Sequence, residues 1–204
     1  MNATNSETVA DVIAAELASA GVDRVFGLPG GEVLFLIDAF RRRGVEFVLC
    51  RHEADAGIMA AVYGKLKRTP GVVVATLGPG ACNLLLPIGN SVLDREPLIA
   101  ISAQVPDTWS SARIHQRLPL REVFAPVTKF GATVSPFNCR EVIRSAISET
   151  LAEPAGPAYL AVSADVTRTR AHAGGNGRGP AAPPRSPLGD ARAAAAEVRE
   201  RLRG

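Results

Sequence analysis

The residues best equipped for chemistry stand together in Arg51-His52-Glu53-Ala54-Asp55-Ala56-Gly57, directly after the apolar stretch 45–50. An arginine, a histidine and two carboxylates at this point could bind an anion, exchange a proton or simply start a helix. Glu53 is the most informative of them. The macrodipole favours an acidic residue in any first helical turn, and that is the plain explanation. The positions that follow on one helical face, Ala56, Gly57, Ala60, Ala61 and Gly64, are all small, so a second surface can come close. A carboxylate at such an apolar contact has its charged form disfavoured, which suits a group that shares a proton. His52, beside a strand end, reads as a hydrogen-bonded structural residue, and Cys82 as a small core residue.

Two glycine turns accompany this segment. Gly78-Pro79-Gly80-Ala81-Cys82-Asn83 follows an apolar run, and its backbone could approach a ligand closely at a helix start. The third glycine of G-x-G-x-x-G is replaced by Asn83, so spacing alone favours a tight strand-to-helix turn over a phosphate site. Leu28-Pro29-Gly30-Gly31 is likewise a turn by composition.

The elements that must position these loops are legible from periodicity. Thr4-Asn5-Ser6-Glu7 has the form of a capping box, and Val9, Val12, Ile13 and Leu17 recur at helical spacing up to Gly21, predicting a helix over 6–20. Five short apolar runs then alternate with helical stretches: residues 24–27, 47–50, 72–76, 98–102 and 158–162. Continuous apolar strands alternating with helices predict an α/β fold, a doubly wound, mainly parallel sheet with helices on both faces. Ligands of such sheets bind at the carboxyl ends of the strands, where the three loops above lie.

The 204 residues are 47% hydrophobic and 21% charged, enough for a sizeable core. The formal charge of +3 is uneven, because residues 167–204 hold eight arginines against Asp190, Glu197 and Glu200. The remainder is slightly acidic, which argues against nucleic acid as a partner. Three scattered cysteines suggest neither a disulfide framework nor a metal site and fit a reducing cytoplasm. No apolar run is long enough for a membrane span. The composition divides the chain into a folded domain over 1–166, a Gly/Pro/Ala/Arg-rich linker over 167–189, and a short helix over 190–204 that reads as the start of a further domain.

Taken in order, "VFGLPGGEV", "RHEADAGIMAAVYGK", "GVVVATLGPGACNLL", "DREPLIAISAQVP" and "VTKF" closely resemble the amino-terminal pyrimidine-binding domain of thiamine-diphosphate enzymes, especially the acetolactate synthase group, over about residues 8–166. The resemblance implies that Glu53 matches the glutamate that hydrogen-bonds the pyrimidine ring of thiamine diphosphate. Sharing a proton there promotes loss of the thiazolium C2 proton and attack on a 2-oxo acid carbonyl. It also implies that Pro29, Gly30 and Gly31 lie near the reacting centre, that Thr76, Gly78, Pro79 and Asn83 line the pyrimidine side, and that Gln116 faces substrate. Partners implied are a second copy of the chain or a diphosphate-binding domain, with the small residues after Glu53 at a close dimer contact. The G-D-G and paired-asparagine signals that hold diphosphate and Mg2+ in the family are missing, Gly189-Asp190-Ala191 being the one near match. Diphosphate and metal are therefore expected in a domain not carried here. The segment Pro154-Ala155-Gly156-Pro157 lacks the preceding arginine that touches FAD in acetolactate synthases, so FAD is not expected. Two other classes stay open: a non-catalytic binding or assembly module on the same fold, and a nucleotide-binding domain using the 78–80 loop.

Overall fold

The computed structural model describes residues 7–106 and 116–172. Six strands form one sheet: β1 (Arg24–Gly27), β2 (Glu46–Leu49), β3 (Gly71–Ala75), β4 (Leu98–Gln104), β5 (Phe130–Thr133) and β6 (Ala158–Ser163). Their spatial order is β2-β1-β3-β4-β6-β5, and every neighbouring pair is parallel. The fold class expected from the sequence is the one observed. In the central strands, alternate side chains enter two separate cores. Val72, Val74, Ile99, Ile101, Leu160 and Val162 face one layer; Val73, Ala75, Leu98, Ala100, Tyr159 and Ala161 face the other. Both faces are dry, so these strands read as unbroken apolar runs.

Helices α1 (Val9–Ser19), α2 (Leu34–Arg42) and α7 (Cys139–Leu151) cover the first core. The second is covered by α3 (Glu53–Lys67), α5 (Leu85–Leu93) and the short α6 (Leu120–Phe124). The four-residue α4 (Pro79–Cys82) leads into α5, and α8 (Ala164–Arg168) follows β6. Because β2 and β3 lie on opposite sides of β1, the chain reverses direction across the sheet at β1 and β3. The loops that leave the carboxyl ends of these two strands flank this switch point, where a crevice for ligand is usual in such folds.

Several local expectations are corrected. The start of α1 is set by Thr8, not by the Thr4–Glu7 pattern: the Thr8 hydroxyl accepts from the Asp11 N–H at 3.2 Å, and the Thr8 N–H donates to Asp11 Oδ2 at 3.1 Å. Gly21 does close the helix. Its φ is +88°, its N–H donates to the Ala18 carbonyl and that of Val22 to the Leu17 carbonyl, the paired bonds of a Schellman turn. The strand β5 had no counterpart among the five predicted runs. Its Phe-Gly-Ala-Thr sequence is poor in β-branched residues, and it is a half-buried edge paired only with β6.

Residues 167–172, expected to begin the linker, are seated on the fold. Thr8 and Arg170 form an antiparallel bridge, the Ala171 N–H donates to the Glu7 carbonyl, and the His172 ring stacks on Phe137 at 4.5 Å. The remainder of the expected linker and the helix over 190–204 lie outside the described residues.

The small face of α3 does let another surface come close, but that surface belongs to the same chain. A Cβ on Gly57 would meet Pro87 Cγ at 2.4 Å, and one on Gly64 would meet the Gly71 backbone nitrogen at 2.3 Å. Ala56, Ala60 and Ala61 are buried in the second core. The face of α3 left open is instead Ile58, Val62 and Leu66, exposed at i, i+4 and i+8 spacing, with Met59 exposed beside them.

On the opposite layer, ion pairs join the helices. Glu16 of α1 accepts from Arg144 Nε at 2.8 Å and from Arg140, both on α7; Glu7 pairs with Arg43 and Arg140, and Asp11 with Arg42. The Arg144 hydrogen bond holds the Glu16 carboxyl below its ordinary 4.5, against the opposing effect of burial and with further help from Arg140. A carboxyl with a depressed folded-state value adds stability that is complete above its unfolded value and is lost as pH falls through the folded one. Glu16→Gln should therefore lower the melting temperature near neutral pH and flatten its fall between about pH 5 and pH 3. Parallel melting curves of the variant and the wild type across that window would remove Glu16 from the acid response.

Candidate functional site

Three loops meet at the crevice between β1 and β3. From the β1 side, Gly30 lies so close to Thr76 that a Cβ there would sit 2.2 Å from Thr76 Cγ2. Gly31 has nothing within 4 Å of its Cβ position, and Pro29 is exposed. Of this trio only Gly30 is required by packing.

After β3, Thr76 and Leu77 lead to Gly78, whose φ of +60° disfavours any residue with a side chain. Pro79 then occupies the first turn of α4, where its missing N–H costs nothing. The turn is closed by the chain's own side chains. Gly78 is covered by Gln116, whose Cβ and carbonyl oxygen lie 2.7 and 3.0 Å from where a Gly78 Cβ would be, and Gly80 is covered by Thr76 Oγ1 at 2.3 Å. This geometry matches the tight strand-to-helix turn favoured by the spacing.

Glu53 is the first residue of α3. His52 caps that helix, its Nδ1 accepting the Ala54 N–H at 3.1 Å, so its structural reading stands. The Glu53 side chain turns inward and the residue is only 8% exposed. Asn83 Nδ2 donates to Glu53 Oε2 at 2.9 Å. Oε1 lies 3.1 Å from the Cβ position of Gly80, beside Thr76, and has no hydrogen-bond partner among the described residues.

A buried carboxylate with one oxygen held and the other open is equipped to share a proton with a donor that enters the crevice. No cluster of three or more His, Cys, Asp or Glu suited to a metal ion is present among the described residues.

The structure thus brings Gly30, Glu53, Thr76, Gly78, Pro79, Asn83 and Gln116 to one place. It leaves Pro29 and Gly31 at the rim and adds Gly80, which in the sequence is only one position of the 78–83 turn. Asn83 acts on Glu53, a relation across 30 residues that no local pattern announces. Beyond Gln116, itself at φ +59°, a cleft of about 470 Å³ runs along Gln104, Arg117, Leu118 and Glu122 at the carboxyl end of β4. The Arg117 guanidinium donates to the Pro106 carbonyl at 3.2 Å. No helix among the described residues is long and apolar enough to cross a membrane.

Residues 7–124 match the family described as thiamine pyrophosphate enzyme, N-terminal TPP binding domain. The chain is 33% identical over 186 residues to an acetolactate synthase of Bacillus subtilis (strain 168), a match covering 89% of this chain and 32% of that protein. It is 35% identical over 156 residues to a "Probable 2-ketoarginine decarboxylase" of Pseudomonas aeruginosa, covering 74% and 28%. Identity to a 2-hydroxyacyl-CoA lyase of Saccharomyces cerevisiae is 31% over 166 residues, covering 79% and 29%. The chain spans about a third of the length of these curated relatives.

Proposed function

The chain belongs to the thiamine pyrophosphate enzymes through their N-terminal TPP binding domain, and from that premise we propose that it is the pyrimidine-binding half of an acetolactate synthase-like 2-oxo acid decarboxylase or carboligase. The observation that carries this reading is Glu53: buried, held through one oxygen by Asn83, and open through the other at the β1–β3 crevice. When bound, thiamine diphosphate supplies the carbon nucleophile and electron sink for bond changes beside a carbonyl. This chain's part is narrower. Glu53 exchanges a proton at Oε1, Thr76 and Gly80 pack beside that oxygen, and Gln116 closes the side that leads to the cleft and to substrate.

Diphosphate and Mg2+ are assigned to a separate diphosphate-binding domain, and FAD is not required. Support for a partner comes from the second helical layer, where Ile58, Met59, Val62 and Leu66 of α3 are exposed along with Leu85, Leu86 and Leu93 of α5. Such a concentration of large apolar side chains on one side marks an interaction surface. The same face would serve a non-catalytic assembly module, and turnover after adding the partner domain separates the two readings. The three free cysteines suit a reducing, cytoplasmic setting.

The deciding experiment is calorimetric titration with thiamine diphosphate and Mg2+, first of this chain and then with a diphosphate-binding domain of an acetolactate synthase supplied in trans. Binding only in the second titration, lost with Glu53→Gln, is the expected result. Tight binding by the chain alone would contradict the assigned division of the cofactor, and no binding in either would overturn the reading.

A further inference from the structure

Resting on that reading, we infer that Asn83 is the positioning residue for Glu53: it fixes the carboxylate by Oε2 and so selects Oε1 as the oxygen presented to the ligand. A carboxylate rotates easily about its terminal torsion, which is broad and two-fold, so a side chain with one helical anchor and no partner would present either oxygen at many angles. The bond from Asn83 Nδ2 at 2.9 Å removes that freedom. An ionised carboxylate can only accept, so the amide nitrogen must be the Asn83 atom facing it.

Asn83 is able to do this because its own backbone is fixed. Its N–H donates to the Pro79 carbonyl at 3.1 Å, and the next N–H, of Leu84, donates to the Ala81 carbonyl at 2.9 Å. These bonds depend on the chain turning into α4 immediately, which the positive φ of Gly78 and the preset φ of Pro79 provide. The glycine-proline turn therefore has a purpose beyond joining strand to helix: it aims an amide donor at a buried carboxylate on another helix. Asn83 consequently touches the acid and needs no contact with the pyrimidine.

The test is carboxyl 13C NMR of Glu53 in the full chain at neutral pH, its resonance assigned by disappearance in Glu53→Gln. Asn83→Ala should shift and broaden that resonance as Oε2 loses its donor and the terminal torsion is freed, and Asn83→Asp, which replaces the donor by a second carboxylate, should do the same. Asn83→Ser, read at a matched fraction folded, serves if the alanine variant is too unstable. In the chain supplied with a diphosphate-binding domain, Asn83→Ala should weaken thiamine diphosphate binding about tenfold, as expected for a lost preorganised contact. A resonance unmoved in both the alanine and the aspartate variants would overturn the positioning role, whatever their melting temperatures. Failure of the functional reading has a different signature, since Glu53→Gln itself would then leave cofactor binding unchanged.

Discussion

On the proposed function, Glu53→Gln should reduce turnover of a 2-oxo acid by the assembled enzyme by roughly 10²- to 10⁴-fold, the range associated with loss of a positioned acid–base group. The substitution preserves shape and leaves a side-chain oxygen able to accept from Asn83, so the α3 start and the second core should persist and the melting temperature should change little. What is lost is the ability to take and return a proton at the position now occupied by Oε1. Rates near wild type in a fully loaded enzyme would remove Glu53 from the proton path. Loss of activity together with early unfolding would instead point to a structural role for this buried side chain.

The second large effect concerns the platform beneath Glu53. Gly71→Ala should destabilise the chain by about 3 kcal/mol, at the upper end of the usual cost of overpacking. A Cβ at Gly71 would lie 1.9 Å from the Ala60 carbonyl oxygen and 2.6 Å from its carbon. Backbone atoms in the middle of a 15-residue helix cannot rotate aside as a side chain can, so α3 would have to lift from β3. Glu53 begins the same helix, and cofactor affinity should fall together with stability. Gly89→Ala is the internal control. Its Cβ position is open and it lies within α5, so the isolated chain should gain up to about 1 kcal/mol from the better helix former. Equal losses at the two positions in urea unfolding would show that glycine removal, rather than the α3–β3 contact, controls stability.

Unbroken apolar runs such as Val72-Val73-Val74 announce a strand buried on both sides, and Gly21 announces a helix end, because each depends on chemistry within a few residues. The order of these runs gave the parallel α/β architecture, and Glu53 stood out as an acid set before a row of small residues. The helix start was ambiguous for a local reason: Thr4–Glu7 and Thr8–Asp11 both place an acidic residue three positions after a threonine. Tertiary structure decides between them, because the Val9 N–H donates to the Thr169 carbonyl and Thr8 bridges Arg170, fixing the chain at Thr8. The strand β5 was hidden because an edge with glycine in it is stabilised by pairing with β6 more than by its own propensity.

For the site, the sequence by itself singled out Glu53, before a row of small residues, and the loops that would lie at the strand ends. Only the tertiary structure decided how that carboxylate is held and what the small face of α3 packs against. The sheet order sets β3 next to β1, which brings Thr76 to Gly30 and carries Asn83 to Glu53. It also sets α3 over the start of β3 and against α5, so Gly57, Gly64 and Gly71 are consumed within the chain while Ile58, Val62 and Leu66 remain outside. Helical periodicity separates one face from the other but does not say which partner each will meet, since that partner is chosen by contacts between segments far apart in the chain.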